Sequence, residues 1–227
     1  KPIIKLGIFF CDRLVTVSKN IKNDLSKITK KEIIVISNFI NIKKKFLSKK
    51  KFKENYIFSI GHSEKRKNLD NLIKAFMYIK LEGYRGNLII CTNQGSEYEK
   101  IERLIDDHPY SNNIKLLKNQ DNETVFNLYK QCELFVLPSF YEGFGIPILE
   151  ASYHNKVIAL SSIPVFKEIT FNKLIYFDPT NPKKISDKIL FILNNKIKQE
   201  KLIKITKKVN SHYSKKKILN RFNELFV

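Results

Sequence analysis

The stretch "ELFVLPSFYEGFGIPILEA", Glu133 to Ala151, joins two kinds of segment through a glycine-rich gap. Its first part, "ELFVLPS" (133–139), is short, continuous and apolar, the pattern of a strand buried on both faces. The remainder is not one helix. Gly143 and Gly145 would each cost ~1 kcal/mol in a helix interior and Pro147 far more, whereas proline is welcome at the first helical position. The strand is therefore expected to end at Ser139, a glycine loop to follow, and a helix to start near Pro147. Glu142 then falls on the loop and Glu150 one turn into the helix, with seven residues between them.

Working outward, the same alternation recurs. "YIFSIG" (56–61), "NLIICT" (87–92), "IKLLK" (114–118), "KVIALS" (156–161) and "LIYFD" (174–178) read as further buried strands. Between them lie helical periods. Leu69, Leu72, Ile73, Phe76 and Ile79 follow a possible Asn68 cap; Ile101, Leu104 and Ile105 mark a second helix; Val125, Leu128, Tyr129 and Cys132 mark a third, with Asp121 as its cap. This order argues for an α/β fold, a Rossmann-like doubly wound parallel sheet over residues 55–210. Residues 1–40 read differently. "RLVTVS" (13–18) runs into a helix with Ile21, Leu25 and Ile28 on one face and Ser18 at its N-cap, and "EIIVIS" (32–37) is a further strand. They look like the remnant of a second α/β domain, joined by a lysine-rich linker over 41–54. A last helix over 211–227 is expected to bury Ile218, Leu219, Phe222, Leu225 and Phe226.

Composition narrows the class. The chain has 227 residues with 43% hydrophobic and 12% aromatic, so it is globular. No apolar run reaches the ~18 residues that a membrane helix needs. Cys11, Cys91 and Cys132 are far apart and form no CxxC pair, which leaves three buried free thiols as the plain reading. The net charge of +20 invites a nucleic-acid partner. Arginine, which makes the bidentate phosphate and guanine contacts, occurs only at Arg13, Arg66, Arg85, Arg103 and Arg221, so no nucleic acid is expected. The lysines form a solvated surface, with attraction to anionic lipid at the inner face of a membrane as a softer expectation.

The glutamate pair carries the chemistry. In open α/β sheets ligands lie beyond the carboxyl ends of the strands. The glycines let backbone N–H groups approach a ligand closely, and the helix N-terminus offers free donors to an anion. Two carboxylates there would repel a bare phosphate but suit a ligand carrying hydroxyls as well as phosphate, such as a nucleotide sugar. The residues alone equally allow a helix-start glutamate that complements the dipole beside an unrelated surface glutamate.

"PSFYEGFGIPILEA" resembles the E-x7-E signature of the group 1 (family 4) retaining glycosyltransferases. The likeness extends along the chain in order. "CDRLVTVSKNIKNDL" is similar to the last strand and helix of that family's N-terminal domain, "VISNFIN" to its hinge, and "SIGHSEKRKNLDNLIKAF" to the opening strand, phosphate loop and helix of its C-terminal domain. "IPVFKEI", "YFDPTNP" and "YSKKKILNRFNELF" resemble the later segments and the closing crossover helix. The resemblance implies a GT-B fold, with the C-terminal domain binding donor and the N-terminal domain binding acceptor. By the same likeness, Glu142 contacts donor-sugar hydroxyls, and the amides of Gly143, Phe144, Gly145 and Ile146 approach sugar and diphosphate. Glu150 holds the ribose hydroxyls, Arg66 and Lys67 neutralise the diphosphate, and Lys118, Asn119 and Gln120 lie where the backbone reads the base. A cationic clamp suits a leaving group whose negative charge grows in the transition state; no metal and no cofactor is expected.

Several residues depart from the pattern. His62 stands where the family usually has arginine, Ser37 and Phe39 replace the hinge Pro and Gly, and Lys118 replaces a common glycine. Tyr153, His154 and Asn155 replace a small-Cys-Gly run, with His154 read as a helix-end residue rather than a base. Nearly all of the acceptor domain is missing, so the chain reads as a fragment that binds donor but needs the missing N-terminal domain for transfer. The function implied is transfer of a hexose, with GDP-mannose as a loose choice, to a glycan or lipid-linked acceptor in cytoplasmic assembly of a surface polysaccharide. The rival readings are a non-catalytic nucleotide-sugar-binding fragment or decayed gene product, and a basic nucleic-acid binder.

Overall fold

The computed structural model describes residues 7–8, 10–41 and 54–224. Six parallel strands form the main sheet: β3 (Tyr56–Ile60), β4 (Asn87–Thr92), β5 (Ile114–Lys118), β6 (Leu134–Leu137), β7 (Ile158–Ser161) and β8 (Ile175–Phe177), in the order β5-β4-β3-β6-β7-β8. Each expected strand is present, β4 and β5 with the expected bounds and the others trimmed by a residue or two at their ends. The order is that of a dinucleotide-binding sheet, and it reverses between β3 and β6, which pair at Ile57–Leu134 and Phe58–Phe135. Strands β3, β4, β6 and β7 are buried almost throughout. That follows from right-handed crossovers, which place helices on both faces.

One group of helices is α2 (Leu69–Leu81), α3 (Tyr98–Asp106) and α7 (Pro182–Leu193), packed around α2. Another is α4 (Asn122–Gln131), α5 (Ile146–Tyr153) and α8 (Lys196–His212), packed around α5. The periodic positions Leu69, Leu72, Ile73, Phe76 and Ile79 are all buried. Asp121 caps α4 by accepting from the Thr124 amide at 2.7 Å. Asn68 occupies the N-cap position of α2 but does not cap it. Its backbone is left-handed (φ 56°), and its side chain donates instead to the carbonyls of Pro138 (2.9 Å) and Pro179 (2.8 Å). The expected cap is therefore a stitch between the loops that follow β6 and β8.

The expected remnant is a two-stranded parallel sheet, β1 (Leu14–Thr16) with β2 (Ile33–Val35), around α1 (Lys19–Ser26). Ser18 caps α1, accepting from the Ile21 amide at 3.2 Å. Alone such a unit would be marginal, but α1 packs on α6 (Pro164–Ile169) of the larger domain. The Glu168 carboxylate accepts from the amides of Lys19 (2.7 Å) and Asn20 (3.0 Å), placing a negative charge on the positive end of α1. The closing helix α9 (Lys215–Asn223) returns to this small unit, where Ile218, Leu219 and Phe222 line a groove of about 260 Å³ with Val15, Ile36 and Phe39. Only Ile218 of the apolar positions expected inside is buried; Leu219 and Phe222 stay exposed, and Leu225 and Phe226 lie outside the described residues. Most of the lysine-rich linker also lies outside them. Cys91 and Cys132 are buried free thiols, whereas Cys11 is exposed, because it precedes β1 and meets no core. Among the described residues no helix is long and apolar enough to cross a membrane.

Candidate functional site

The loops after β3 and β6 meet at the point where the strand order reverses. The first, Gly61–Asn68, contains a 3₁₀ turn at Lys65–Lys67. Ser63 anchors it: its hydroxyl lies 2.7 Å from that of Thr92, and its carbonyl accepts from the Glu97 amide at 2.8 Å. The Lys67 stem folds back over Gly61, where an added Cβ would stand 3.2 Å from Lys67 Cδ. The second loop, Ser139–Gly145, is tied to the first by the Phe140 amide, which donates to the Arg66 carbonyl at 2.8 Å. Gly145 takes a left-handed conformation (φ 108°) with Phe166 and Ile148 close beneath it, a place for glycine alone.

These loops bring Glu142, Lys67 and Arg66 together. Glu142 is buried, and its Oε1 accepts from Lys67 Nζ at 2.6 Å and from Ser139 Oγ at 2.9 Å. Arg66 Nη1 reaches the other oxygen at 3.4 Å, while its Nε pairs with Glu64 at 2.7 Å. The cations expected to face a diphosphate therefore clasp the signature carboxylate here. The ammonium and carboxylate are both about nine-tenths buried, so each needs the other. Among the described residues no acceptor meets the backbone amides of Gly143, Phe144 and Gly145. The Gly143 carbonyl accepts from Ser18 Oγ at 2.8 Å, a bond between the glycine loop and the β1–α1–β2 unit. Phe144 is buried, edge-on to Tyr213 at 5.5 Å, and Ile146 opens α5 with its side chain exposed.

Glu150 is half-buried, and its Oε2 accepts from the Tyr129 hydroxyl at 2.8 Å. Burial pushes its carboxyl above the usual range, and the Tyr129 hydrogen bond partly offsets that. His62 is exposed at the end of β3. Lys118, Asn119 and Gln120 close β5: Lys118 sits 4.6 Å over the Tyr98 ring, Asn119 is left-handed (φ 51°), and Gln120 donates to the Lys118 carbonyl at 2.8 Å. They stand at the carboxyl end of the sheet, but two strands, β4 and β3, lie between them and β6, which leads to the glutamates. A cavity of about 520 Å³ at the opposite, amino ends of β3, β4 and β6, lined by Tyr84, Arg85 and Glu133 among others, belongs to a different part of the fold. Among the described residues no group of three or more His, Cys, Asp or Glu side chains could hold a metal ion.

Sequence reasoning missed the Ser18 bond to Gly143, the Tyr129 bond to Glu150, and the parts played by Ser139 and Glu168. The helical spacing of Tyr129 marks the buried face of α4, which is true of its ring but silent about its hydroxyl. Ser139 stands three residues before Glu142, a hydroxyl-to-carboxylate spacing that could have been read. The bonds of Ser18 to Gly143 and of Glu168 to the start of α1 carry no local signal, since the partners are more than a hundred residues apart.

His154 ends α5 as its C-cap residue, and Asn155 supplies the left-handed backbone (φ 54°) that a glycine would otherwise take. Burial beside Phe126 and Tyr129 pushes the His154 imidazole down to about 4. The unfolded chain therefore takes up this proton near pH 6.5, and the folded chain only near 4. Stability from neutral His154 is complete above pH 6.5 and falls as pH drops through the window towards 4. Urea midpoints measured between pH 7.5 and 4.5 are expected to decline with acidification, and less steeply in His154→Phe. His108 and His212, also shifted down by burial, add in the same direction.

A parallel sheet of this order, with a cationic turn and a glycine-hinged glutamate loop meeting at its switch point, is a doubly wound α/β domain with its loops gathered where such sheets take ligands. The chain belongs to the family described as glycosyl transferases group 1, which it matches over residues 39–209. It is 31% identical over 184 residues to the O-antigen chain mannosyltransferase RfbU of Salmonella typhimurium, a match covering 80% of this chain and 51% of that protein. It is 32% identical over 138 residues to the O-antigen chain mannosyltransferase B of Escherichia coli, covering 60% and 36%. The chain thus spans about half the length of the first of these relatives, or less for the second. Sucrose-phosphate synthase from Thermosynechococcus elongatus shares the fold, with a TM-score of 0.86 at 18% identity over 99% of this chain and 60% of that one.

Proposed function

We propose that this chain is the donor-binding part of a retaining glycosyltransferase that moves a hexose from a nucleoside diphosphate sugar to a glycan or lipid-linked acceptor. The observation that carries the reading is the clasp of Glu142 by Lys67 and Arg66 at the sheet's switch point, in the loop that leads into α5, with Glu150 one turn into that helix. The names of the relatives, O-antigen chain mannosyltransferases, support mannose as the sugar and surface polysaccharide as the product; GDP-mannose as the donor and the cytoplasmic side belong to the proposal alone.

In this reading the diphosphate draws Lys67 and Arg66 away from Glu142. The released carboxylate then accepts from sugar hydroxyls, and both cations stabilise the charge that grows on the leaving diphosphate. The amides of Gly143, Phe144, Gly145 and Ile146 lie against sugar and phosphate, with His62 at the rim. Glu150 accepts from the ribose, and Lys118, Asn119 and Gln120 border the base. Acceptor binding falls to an N-terminal domain of which β1, α1 and β2 form a part, and the lysine-rich surface offers contact with an anionic membrane.

Calorimetry with GDP, UDP and their sugars, with and without EDTA, tests the reading. Binding of one nucleotide family is expected, unaffected by EDTA. Glu150→Ala is expected to weaken the free diphosphate by ~1.5–3 kcal/mol, since a hydrogen bond to a charged group is worth that much. Glu142→Ala is expected to weaken mainly the sugar-bearing donor. Binding of none of these nucleotides, or equal losses for the free diphosphate in both variants, overturns the assignment.

A further inference from the structure

Glu150 does not stand alone in its helix. Tyr129 comes from α4, across the packing between α4 and α5, and directs its hydroxyl at Glu150 Oε2 at 2.8 Å. The ring cannot swing away. Phe58 meets it edge-on at 4.9 Å, Phe135 lies at 5.2 Å, and His154 stacks nearly parallel to it at 6.1 Å, on top of full burial against the sheet. A tyrosine packed on three sides carries its hydroxyl at a fixed point, so the carboxylate it holds is fixed as well. The bond occupies Oε2 and leaves Oε1 without a protein donor among the described residues.

We infer that Tyr129 is a positioning residue for nucleotide binding: it pins one oxygen of Glu150 so that the other faces the ligand's hydroxyls as a charged acceptor. The inference rests on the donor-binding role of Glu150 proposed above. Burial disfavours the charged form of this carboxyl, and the tyrosine's donated hydrogen bond works against that, so it also keeps the acceptor ionised. A buried tyrosine hydroxyl needs an acceptor in any case. What separates positioning from simple satisfaction is whether ligand affinity and its pH dependence pass through this bond.

The test is calorimetry of the full chain with GDP and UDP between pH 5 and 8, on the wild type, Tyr129→Phe, Glu150→Gln and the double variant. Tyr129→Phe is expected to bind about tenfold more weakly. Its loss of binding on acidification should begin about one pH unit higher than in the wild type. The double variant is expected to bind no more weakly than Glu150→Gln alone. The carboxyl resonance of Glu150, assigned by its disappearance in Glu150→Gln, is expected to titrate about one unit higher in Tyr129→Phe. A merely structural tyrosine would lower the melting temperature and leave the pH profile and the coupling unchanged. Wild-type affinity and profile in Tyr129→Phe, a loss that adds to that of Glu150→Gln, or an unmoved Glu150 titration overturns the inference while the donor-binding reading stands. A wild type that binds neither nucleotide overturns that reading, and this role with it.

Discussion

Lys67→Met is expected to destabilise the larger domain by about 3 kcal/mol, because removing one partner of a buried ion pair leaves the other charge uncompensated. Methionine keeps the stem that packs over Gly61, so the change isolates the ammonium. Ser139 and the more distant Arg66 still reach Glu142, which holds the expected cost to the lower part of the range for such pairs. Lys67→Met/Glu142→Gln is expected to recover part of the loss, since no buried charge is then unpaired and the amide still accepts from Ser139. Urea unfolding of the wild type, both single variants and the double variant gives the coupling directly. Additive losses in the double variant would show that the two side chains act independently and that the clasp is incidental. The same variants bear on function: the cation that stabilises the empty site is the one that the diphosphate would claim.

Glu168→Ala is expected to loosen the small β1–α1–β2 unit without touching the main sheet. The carboxylate accepts from two amides at the start of α1 and also complements the helix dipole there. Losing both bonds, one of them exposed, should cost about 2 kcal/mol locally. Amide exchange in Leu14–Thr16 and Ile33–Val35 is then expected to quicken about thirtyfold. Exchange in β6 and β7 is expected to hold. Uniform acceleration across the chain, or unchanged rates in β1 and β2, would sink this account. From the sequence, residues 1–40 read as a unit that opens readily, because two strands and a helix rarely hold together alone. The structure supplies what that reading lacked: Glu168 on α1, Ser18 on the Gly143 carbonyl, and α9 returning across the groove.

Much of the rest was legible beforehand. Apolar runs of four to six residues between amphipathic periods are a local property, and they located the strands of the main sheet within a residue or two. Gly143, Gly145 and Pro147 announced the loop and the helix start, since each restricts or frees its own backbone, and Asp121 and Ser18 capped where expected. Asn68 misled because its position allowed a cap while its side chain found better acceptors on two distant loops. The closing helix misled because its apolar spacing could not say how much of its stripe the β1–α1–β2 unit would cover.

By itself, then, the sequence determined the strands of the main sheet, the helices between them as far as α5, the two loops that carry chemistry and the family signature, all written within some twenty residues of each other or in the order of segments; α6, α7 and α8 it left unread. Only the tertiary structure decided which groups face one another. Lys67 meets Glu142 across 75 positions, Ser18 meets Gly143 across 125, and Tyr129 meets Glu150 from a neighbouring helix. The physical reason is strand order. Placing β6 beside β3 brings their following loops to one crevice, where a buried charge must find its counter-charge and a buried hydroxyl its acceptor.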